Sequence, residues 1–285
     1  MGLFGEGFEA FAASDFDAFL ASKRSSRRFN LERGRVRARA LALLDAALEQ
    51  LASQGSAWPG FEPWSSLDHP SIFNGQSVIC QTVALCRDAA TRDALQRADA
   101  TLDADRLQDS HLHVGLRLDD AGVVFFVALP AGAHFDRSSA PLALDVLRAL
   151  PPLLGAWFAG DEPVETLDAA GLGRGGPALR FVHSVSCETA IAWADTAVGH
   201  FADWLVAVQP AVLAASWSPL RDPEDLAATI ERAAVEVAPG PTRPVVVVQV
   251  AKFAEPSAPT EPPARPRIAA PGSATPDPVA PPPPA

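Results

Sequence analysis

A two-residue alternation in residues 109–129, DSHLHVGLRLDDAGVVFFVAL, constrains the fold more than any other feature of this sequence. Alternate side chains of a strand share a face, so one side of this segment is aliphatic and the other carries two histidines. The turn sequence DDAG then separates two apolar runs, which is typical of a β-hairpin. The predicted register pairs Leu118 with Val123 and His113 with Ala128.

Helical patterns flank this hairpin. Leucines at helical spacing predict a helix from about residue 31 to 52. Further helices are predicted over residues 142–158, with an interruption near Pro151 and Pro152, and over residues 187–208. Residues 77–86 could form a strand or a helix; their β-branched side chains favour a strand, and the residues after it, 87–98, predict a helix. Residues 179–185 also predict a strand. The strands and helices do not alternate in a steady β-α-β order. The sequence therefore predicts an α+β fold with a mostly antiparallel sheet, including the 111–129 hairpin, packed against several amphipathic helices.

A change in composition near residue 254 predicts the domain boundary. Twelve of the 32 residues from Ala254 to Ala285 are proline, and the segment has no aromatic residue or leucine. Such a segment cannot bury enough apolar surface to offset its ordering entropy. We therefore predict one globular domain over residues 1–253 and a disordered proline-rich tail over residues 254–285. Before the tail, Asp222 begins a predicted helix, and residues 245–250, VVVVQV, predict a buried strand.

Composition excludes several classes of protein. The formal net charge of −11 argues against a general nucleic-acid or anionic-membrane coat. The apolar runs are shorter than the roughly 20 residues of a membrane helix, and the N-terminus lacks the pattern of a secretory signal. Three cysteines without CxxC spacing cannot form a disulfide framework or a zinc site built from cysteine. The expectation is a soluble cytoplasmic protein with no membrane partner and no cofactor.

The histidine pair is the first candidate site. His111 and His113 on one strand face can direct two imidazoles at a single ion, with His134 or Asp109 as a further ligand. His134 reaches that site only if the chain folds back after residues 130–132. A structural role for both histidines as hydrogen-bonded side chains is the main alternative, and proton transfer or anion binding with Arg117 is another.

The second candidate is a basic segment near the N-terminus. Residues 23–40 contain eight basic residues and one acidic residue, whereas the remainder of the chain sums to −18. Arg28, Arg33 and Arg37 form the centre of a possible anion site within the 23–39 arginine cluster, and Arg117 is a further candidate. The alternatives are internal or intersubunit ion pairs, a phosphate or nucleic-acid surface, and an acidic protein partner.

Two weaker candidates lie further along the chain. Ser186 can cap a helix whose first residue is Cys187, and His183 lies four residues before that cysteine. A helix N-terminus lowers the pKa of a thiol, so His183 and Cys187 are weak candidates for nucleophilic catalysis. The glycine-rich stretch at residues 170–177, AGLGRGGP, lacks the context of a phosphate-binding motif and predicts a mobile loop.

The leading functional hypothesis is a non-catalytic interaction or scaffold protein, because the sequence contains no complete catalytic constellation. The proline-rich tail is a possible ligand for a protein partner. One alternative is a metal-dependent or hydrolytic enzyme that uses the strand of His111 and His113. The other is phosphate or nucleic-acid binding through the 23–39 arginine cluster.

Overall fold

A computed structural model describes residues 8–98 and 107–216 of the chain. These residues contain a seven-stranded antiparallel sheet packed against helices, so the predicted α+β fold is confirmed. The strand order is β1-β2-β3-β4-β7-β5-β6. The strands are β1 (Phe61–Ser65), β2 (Gln81–Arg87), β3 (His113–Asp119), β4 (Gly122–Leu129), β5 (Ala156–Ala159), β6 (Glu162–Pro163) and β7 (Leu179–Ser186).

Two long helices and seven short ones accompany the sheet in the described residues. The helices are α1 (Ala13–Asp17), α2 (Asn30–Ser53), α3 (Ala89–Ala98), α4 (Leu107–Ser110), α5 (Asp136–Ser139), α6 (Leu144–Arg148), α7 (Ala169–Leu172), α8 (Cys187–Ala192) and α9 (Ala197–Ala215). Helix α2 has the bounds predicted from its leucine stripe to within one residue at each end. The strand predicted over residues 77–86 is β2, and α3 follows it as expected.

One face of the sheet, here called the first face, packs against α2 and α9. The aliphatic side of the hairpin belongs to this face and joins Leu43, Leu44, Phe201 and Leu205 in the main core. The opposite face, here called the second face, carries the histidine side of the hairpin. The two helices also contact each other, so the core lies between a helical layer and the sheet.

The hairpin has the predicted register. Leu118 lies opposite Val123, and His113 lies opposite Ala128. Gly115 lies opposite Phe126, and a Cβ on that glycine would come within 2.2 Å of the carbonyl oxygen of Val83. The glycine is therefore required by close packing between β2 and β3.

The helix predicted over residues 142–158 is correct before its interruption near Pro151 and Pro152 and wrong after it. Helix α6 ends at Arg148, and residues 156–159 instead form β5, which pairs with β7. Two prolines at residues 151 and 152 end the helical path. Gly155 then takes a φ of 154° beside the backbone of Val182, which brings the chain into the sheet.

The helix predicted over residues 187–208 forms in two parts, α8 and α9, and continues to Ala215 with Pro210 inside it. The segment Ala194–Ala215 is long and apolar enough to cross a membrane by length and composition alone. Half of its most apolar window is buried inside the fold, and the core helix of a soluble protein passes the same test. The helix predicted from Asp222, the strand at 245–250 and the tail at 254–285 lie outside the described residues.

Candidate functional site

The histidine pair lies at one end of the sheet and is buried. His111 precedes β3, and His113 is its first residue. The Nδ1 atom of His113 makes a 3.0 Å hydrogen bond with the carbonyl oxygen of His111, and its ring contacts Phe126 edge to face. Burial lowers the pKa of both imidazoles below the ordinary value of 6.5, so both are neutral at physiological pH.

A buried ion pair accounts for the burial of polar groups at this end. Arg87 at the end of β2 forms a salt bridge with Asp136 of α5, and both side chains are 1 % exposed. The other carboxylate oxygen of Asp136 accepts a 2.6 Å hydrogen bond from the backbone N–H of Leu112. The guanidinium of Arg87 also lies over the ring of Phe61. This pair joins β2, the start of β3 and α5, which is a structural role.

The proposed metal ligands do not come together. Within residues 8–98 and 107–216, no three histidine, cysteine, aspartate or glutamate side chains could hold one ion. His134 and Asp109 are exposed, whereas His111 and His113 are buried. The buried Nδ1 of His111 has no hydrogen-bond partner in this described part of the chain. The histidine end therefore has the arrangement of a packed strand terminus around Arg87 and Asp136.

Arg33 of the basic segment is an anchor in the interior. Its guanidinium donates hydrogen bonds to three backbone carbonyls, those of Lys23 (3.1 Å), Ser26 (2.8 Å) and Asp68 (3.0 Å). A fourth bond of 2.7 Å goes to the side chain of Asn30. The side chain is fully buried, and burial lowers its pKa. Arg33 is thus used internally and joins residues 23–30 to the loop that contains Asp68.

Most of the other basic side chains in this segment are also paired internally. Arg37 lies 3.6 Å from the carboxylate of Asp68 and donates a 2.8 Å hydrogen bond to Ser65. Burial acts to raise the pKa of Asp68, but the hydrogen bond from His69 and the charge of Arg37 outweigh it, so the pKa is lowered. The remaining ion pairs are Lys23–Glu32, Arg24–Asp120, and Arg39 with Glu9 and Asp15.

The predicted anion site centred on three arginines is therefore divided by the structure. Arg33 is buried, Arg37 is partly exposed and paired with Asp68, and Arg28 is exposed. Arg27, Arg28 and Arg35 are exposed and form no ion pair with another described residue. Arg117 lies on the second face and forms a 2.8 Å salt bridge with Asp119. One buried anchor, one partly exposed arginine paired with Asp68 and three exposed cations thus share one short segment.

The loop fixed by Arg33, residues 66–78, is here called the anchored loop. Its single helical turn is capped at its N-terminal end, because Ser71 accepts a 3.0 Å hydrogen bond from the N–H of Phe73 and donates its own N–H to the side chain of Asn74. The N–H of Val78 donates to the carbonyl of Arg24, which ties the end of the loop to the basic segment. This loop is held by specific hydrogen bonds along its length.

The anchored loop presents two large apolar side chains to solvent. Ile72 is 77 % exposed and Phe73 is 86 % exposed. Leu31 at the start of α2 is 68 % exposed. Leu31 comes shortly after Arg27 and Arg28 in the sequence, and Arg33 joins these residues to the anchored loop. We call Arg27, Arg28, Leu31, Ile72 and Phe73 the anchored surface.

The pair of His183 and Cys187 lacks the properties of a nucleophile and its base. Burial raises the pKa of the Cys187 thiol, and the nearby Glu188 and Asp119 raise it further. Burial is the largest cause, so the pKa shift is opposite in direction to the lowering expected at a helix N-terminus. His183 stacks on Phe125, and burial lowers its pKa.

The glycine-rich loop surrounds another buried arginine. Arg137 of α5 donates hydrogen bonds to the carbonyls of Gly171, Leu172, Gly173 and Pro177. It also bonds the carbonyls of Leu129 and Pro130 at the end of β4. The stretch is therefore attached to the sheet through one guanidinium, which a sequence pattern does not reveal.

The exposed pair Ile72 and Phe73 escaped the sequence prediction, although a signal for it exists. Large apolar residues stand there between the turn-forming residues His69-Pro70 and Asn74-Gly75. A loop normally has small or polar side chains at such positions, so two bulky apolar residues mark an exposed patch. No protein-family model and no curated protein sequence matches the chain.

Proposed function

We propose that this chain is a non-catalytic protein-interaction domain and that the anchored surface is its docking site. The observation that carries the proposal is the 86 % exposure of Phe73 on a loop held by hydrogen bonds. Exposing a phenylalanine to water is unfavourable, and contiguous exposed apolar groups mark interaction sites. A fixed loop also loses little conformational entropy on binding, which favours affinity.

The exposed arginines on the segment that Arg33 joins to the loop indicate the kind of partner. Arg27 and Arg28 are exposed next to Leu31, and neither pairs with a carboxylate in the described part of the chain. Aromatic residues and arginine are enriched at the energetic centres of protein interfaces. The matching partner has an apolar pocket for Phe73 with acidic side chains at its rim.

The test is binding by wild-type protein and by the double variant Ile72→Ser/Phe73→Ser. Partners are captured by cross-linking in cell extract, and the affinity of the purified partner is then measured by calorimetry. Loss of a central aromatic anchor weakens binding by about 2 kcal/mol or more, which is roughly thirtyfold in Kd. Charge reversal at Arg27 and Arg28 should slow association and reduce its dependence on salt.

The matched control is Leu142→Ser/Leu153→Ser, which removes two other exposed apolar side chains, 66 % and 56 % exposed, from a different part of the domain. This control should bind like the wild type. Equal affinity of the Ile72→Ser/Phe73→Ser variant and the control would contradict the docking site. Short DNA or RNA tests the nucleic-acid alternative. That alternative is favoured if binding depends on salt, weakens on charge reversal at Arg27 and Arg28, and is unchanged by the Phe73 replacement.

A further inference from the structure

Both edge strands of the described sheet contain a proline. The strand order begins with β1 and ends with β6. Pro63 is the central residue of β1, and Pro163 is the second of the two residues of β6. Both prolines are exposed. An edge strand presents N–H and C=O groups to which another chain can add a strand, so the direction in which each proline faces decides what it does.

The hydrogen bonds at the two ends of β1 show that Pro63 faces away from the sheet. The N–H of Ser66 donates to the carbonyl of Thr82 at 2.9 Å. The N–H of Asp88, the residue after β2, donates to the carbonyl of Gly60 at 2.9 Å. In an antiparallel pair, residues that bond the neighbouring strand alternate with residues whose backbone groups point outward. The even-numbered positions of β1 therefore bond β2, and the backbone of Pro63 faces the outer edge.

The outer edge of β1 offers few donors to another strand. The N–H of Phe61 also faces outward, but it donates to the carbonyl of Trp58 at 3.3 Å within its own turn. Pro63 has no N–H to donate. Among the described residues of this strand, Ser65 is then left as the outward position with an N–H that no turn uses. A strand added here would find acceptors without matching donors.

The same alternation places Pro163 at the outer edge of β6. The N–H of Val164 donates to the carbonyl of Trp157 at 2.8 Å, and Pro163 is the next position in the register, opposite Phe158. The backbone nitrogen of Pro163 therefore faces away from β5. Exposed carboxylates surround this proline, those of Asp161, Glu162 and Glu165. Like charges would oppose the pairing of two such edges.

We propose that Pro63 and Pro163 prevent a second copy of this chain from adding a strand to either edge of the sheet. In a two-fold antiparallel pairing of two β1 strands centred on residue 63, each N–H at that position would donate to the carbonyl of residue 63 in the other copy. Proline removes both donors, so the pairing loses its two central hydrogen bonds. This inference does not depend on the docking site at the anchored surface.

Restoring the missing donor tests this role. Pro63→Thr in the full-length protein supplies an N–H and a β-branched side chain that suits a strand. Sedimentation velocity over a series of protein concentrations measures self-association. We expect the dimerisation constant to rise by about tenfold relative to the wild type, because two hydrogen bonds are restored and each contributes roughly two- to tenfold. Pro163→Thr should have a smaller effect, since the carboxylates around β6 remain.

The matched control is Pro152→Thr, which replaces an exposed proline outside the strands and should self-associate like the wild type. Pro63→Ala restores the same donor with a smaller side chain, so it replaces Pro63→Thr if threonine lowers the melting temperature. Folded Pro63 variants that self-associate no more than Pro152→Thr would overturn the proposal.

A triple variant distinguishes the edge of the sheet from the anchored surface. Ile72→Ser/Phe73→Ser is added to Pro63→Thr, and sedimentation velocity is repeated. Association through β1 should persist without the two apolar side chains. Its loss would assign the association to the anchored surface and contradict the role of Pro63, while leaving the proposed docking site intact. Loss of partner binding by Ile72→Ser/Phe73→Ser alone tests only the docking site.

Discussion

Two regions of this domain use a buried arginine, and they use it for different ends. At the histidine end of the sheet, Arg87 meets Asp136, and the charges are neutralised within the core. At the anchored loop, Arg33 meets backbone carbonyls and holds a segment whose apolar side chains face water. The first arrangement closes the fold, whereas the second displays Ile72 and Phe73. The same residue type, buried in both places, therefore has two different structural roles.

The largest expected effect on stability comes from breaking the Arg87–Asp136 ion pair. Asp136→Ala leaves Arg87 charged and buried and removes the acceptor of the Leu112 N–H. We expect the free energy of unfolding to fall by about 3–5 kcal/mol, measured by urea denaturation. Glu32→Ala, which removes the partly exposed pair with Lys23, is the control and should cost less than about 1 kcal/mol. Equal losses in the two variants would show that the buried pair is not a structural link.

A double replacement sharpens this result. Arg87→Met/Asp136→Leu removes both charges together and leaves no unpaired ion in the core. Its loss of stability should be smaller than that of Asp136→Ala, because most of the cost of the single variant comes from the uncompensated charge. If the double variant loses more stability than Asp136→Ala, the attraction between Arg87 and Asp136 is itself the stabilising contribution.

The next prediction separates the structural role of Arg33 from the exposure of Phe73 at the anchored loop. Arg33→Met removes the guanidinium bonds to the carbonyls of Lys23, Ser26 and Asp68, and the first two of these keep a backbone N–H donor. We expect a loss of about 2–3 kcal/mol in urea denaturation, with faster hydrogen exchange of the amides in residues 66–78. Phe73→Ser should change stability by less than about 0.5 kcal/mol, since the side chain packs against little. A large loss for Phe73→Ser would contradict the docking role.

The smallest effect is a dependence of stability on pH. Burial lowers the pKa of His111, His113 and His183 in the folded protein below the value of 6.5 expected when unfolded. Between the folded and the unfolded pKa of each histidine, the unfolded chain binds more protons than the folded one. The contribution of these histidines to stability is therefore fully present above pH 6.5 and decreases as the pH falls below it. Each histidine contributes a slope of at most about 1.4 kcal/mol per pH unit.

Melting curves between pH 8 and pH 5 measure this slope. His113→Gln should lower it, and the exposed His134→Gln is the control that should not. Asp68 acts in a separate range, because its lowered pKa places its loss of stability below pH 3.8. An unchanged slope in His113→Gln would show that this imidazole is not held neutral by the fold.

Local patterns predicted the elements whose side chains have one dominant face. The hairpin register and the bounds of α2 followed from periodicity, because a shift by one residue would expose an entire apolar face. Residues 142–158 were predicted as a helix interrupted near Pro151 and Pro152, but the part after the prolines forms β5. There the pairing of β5 with β7 overrides local preference, and such long-range pairing leaves no periodic signal in a four-residue strand.

The candidate sites were predicted less well, and the reason is physical. The sequence by itself determined the α+β class, the two faces of the hairpin and the concentration of arginine in residues 23–40. Only the tertiary structure decided which arginines are buried, that His111 and His113 lie inside the sheet end, and that Phe73 faces water. Periodicity determines which side of an element is apolar, whereas the partners of a polar group depend on segments distant in sequence. Arg33 and Asp68 are 35 residues apart, and no local pattern connects them.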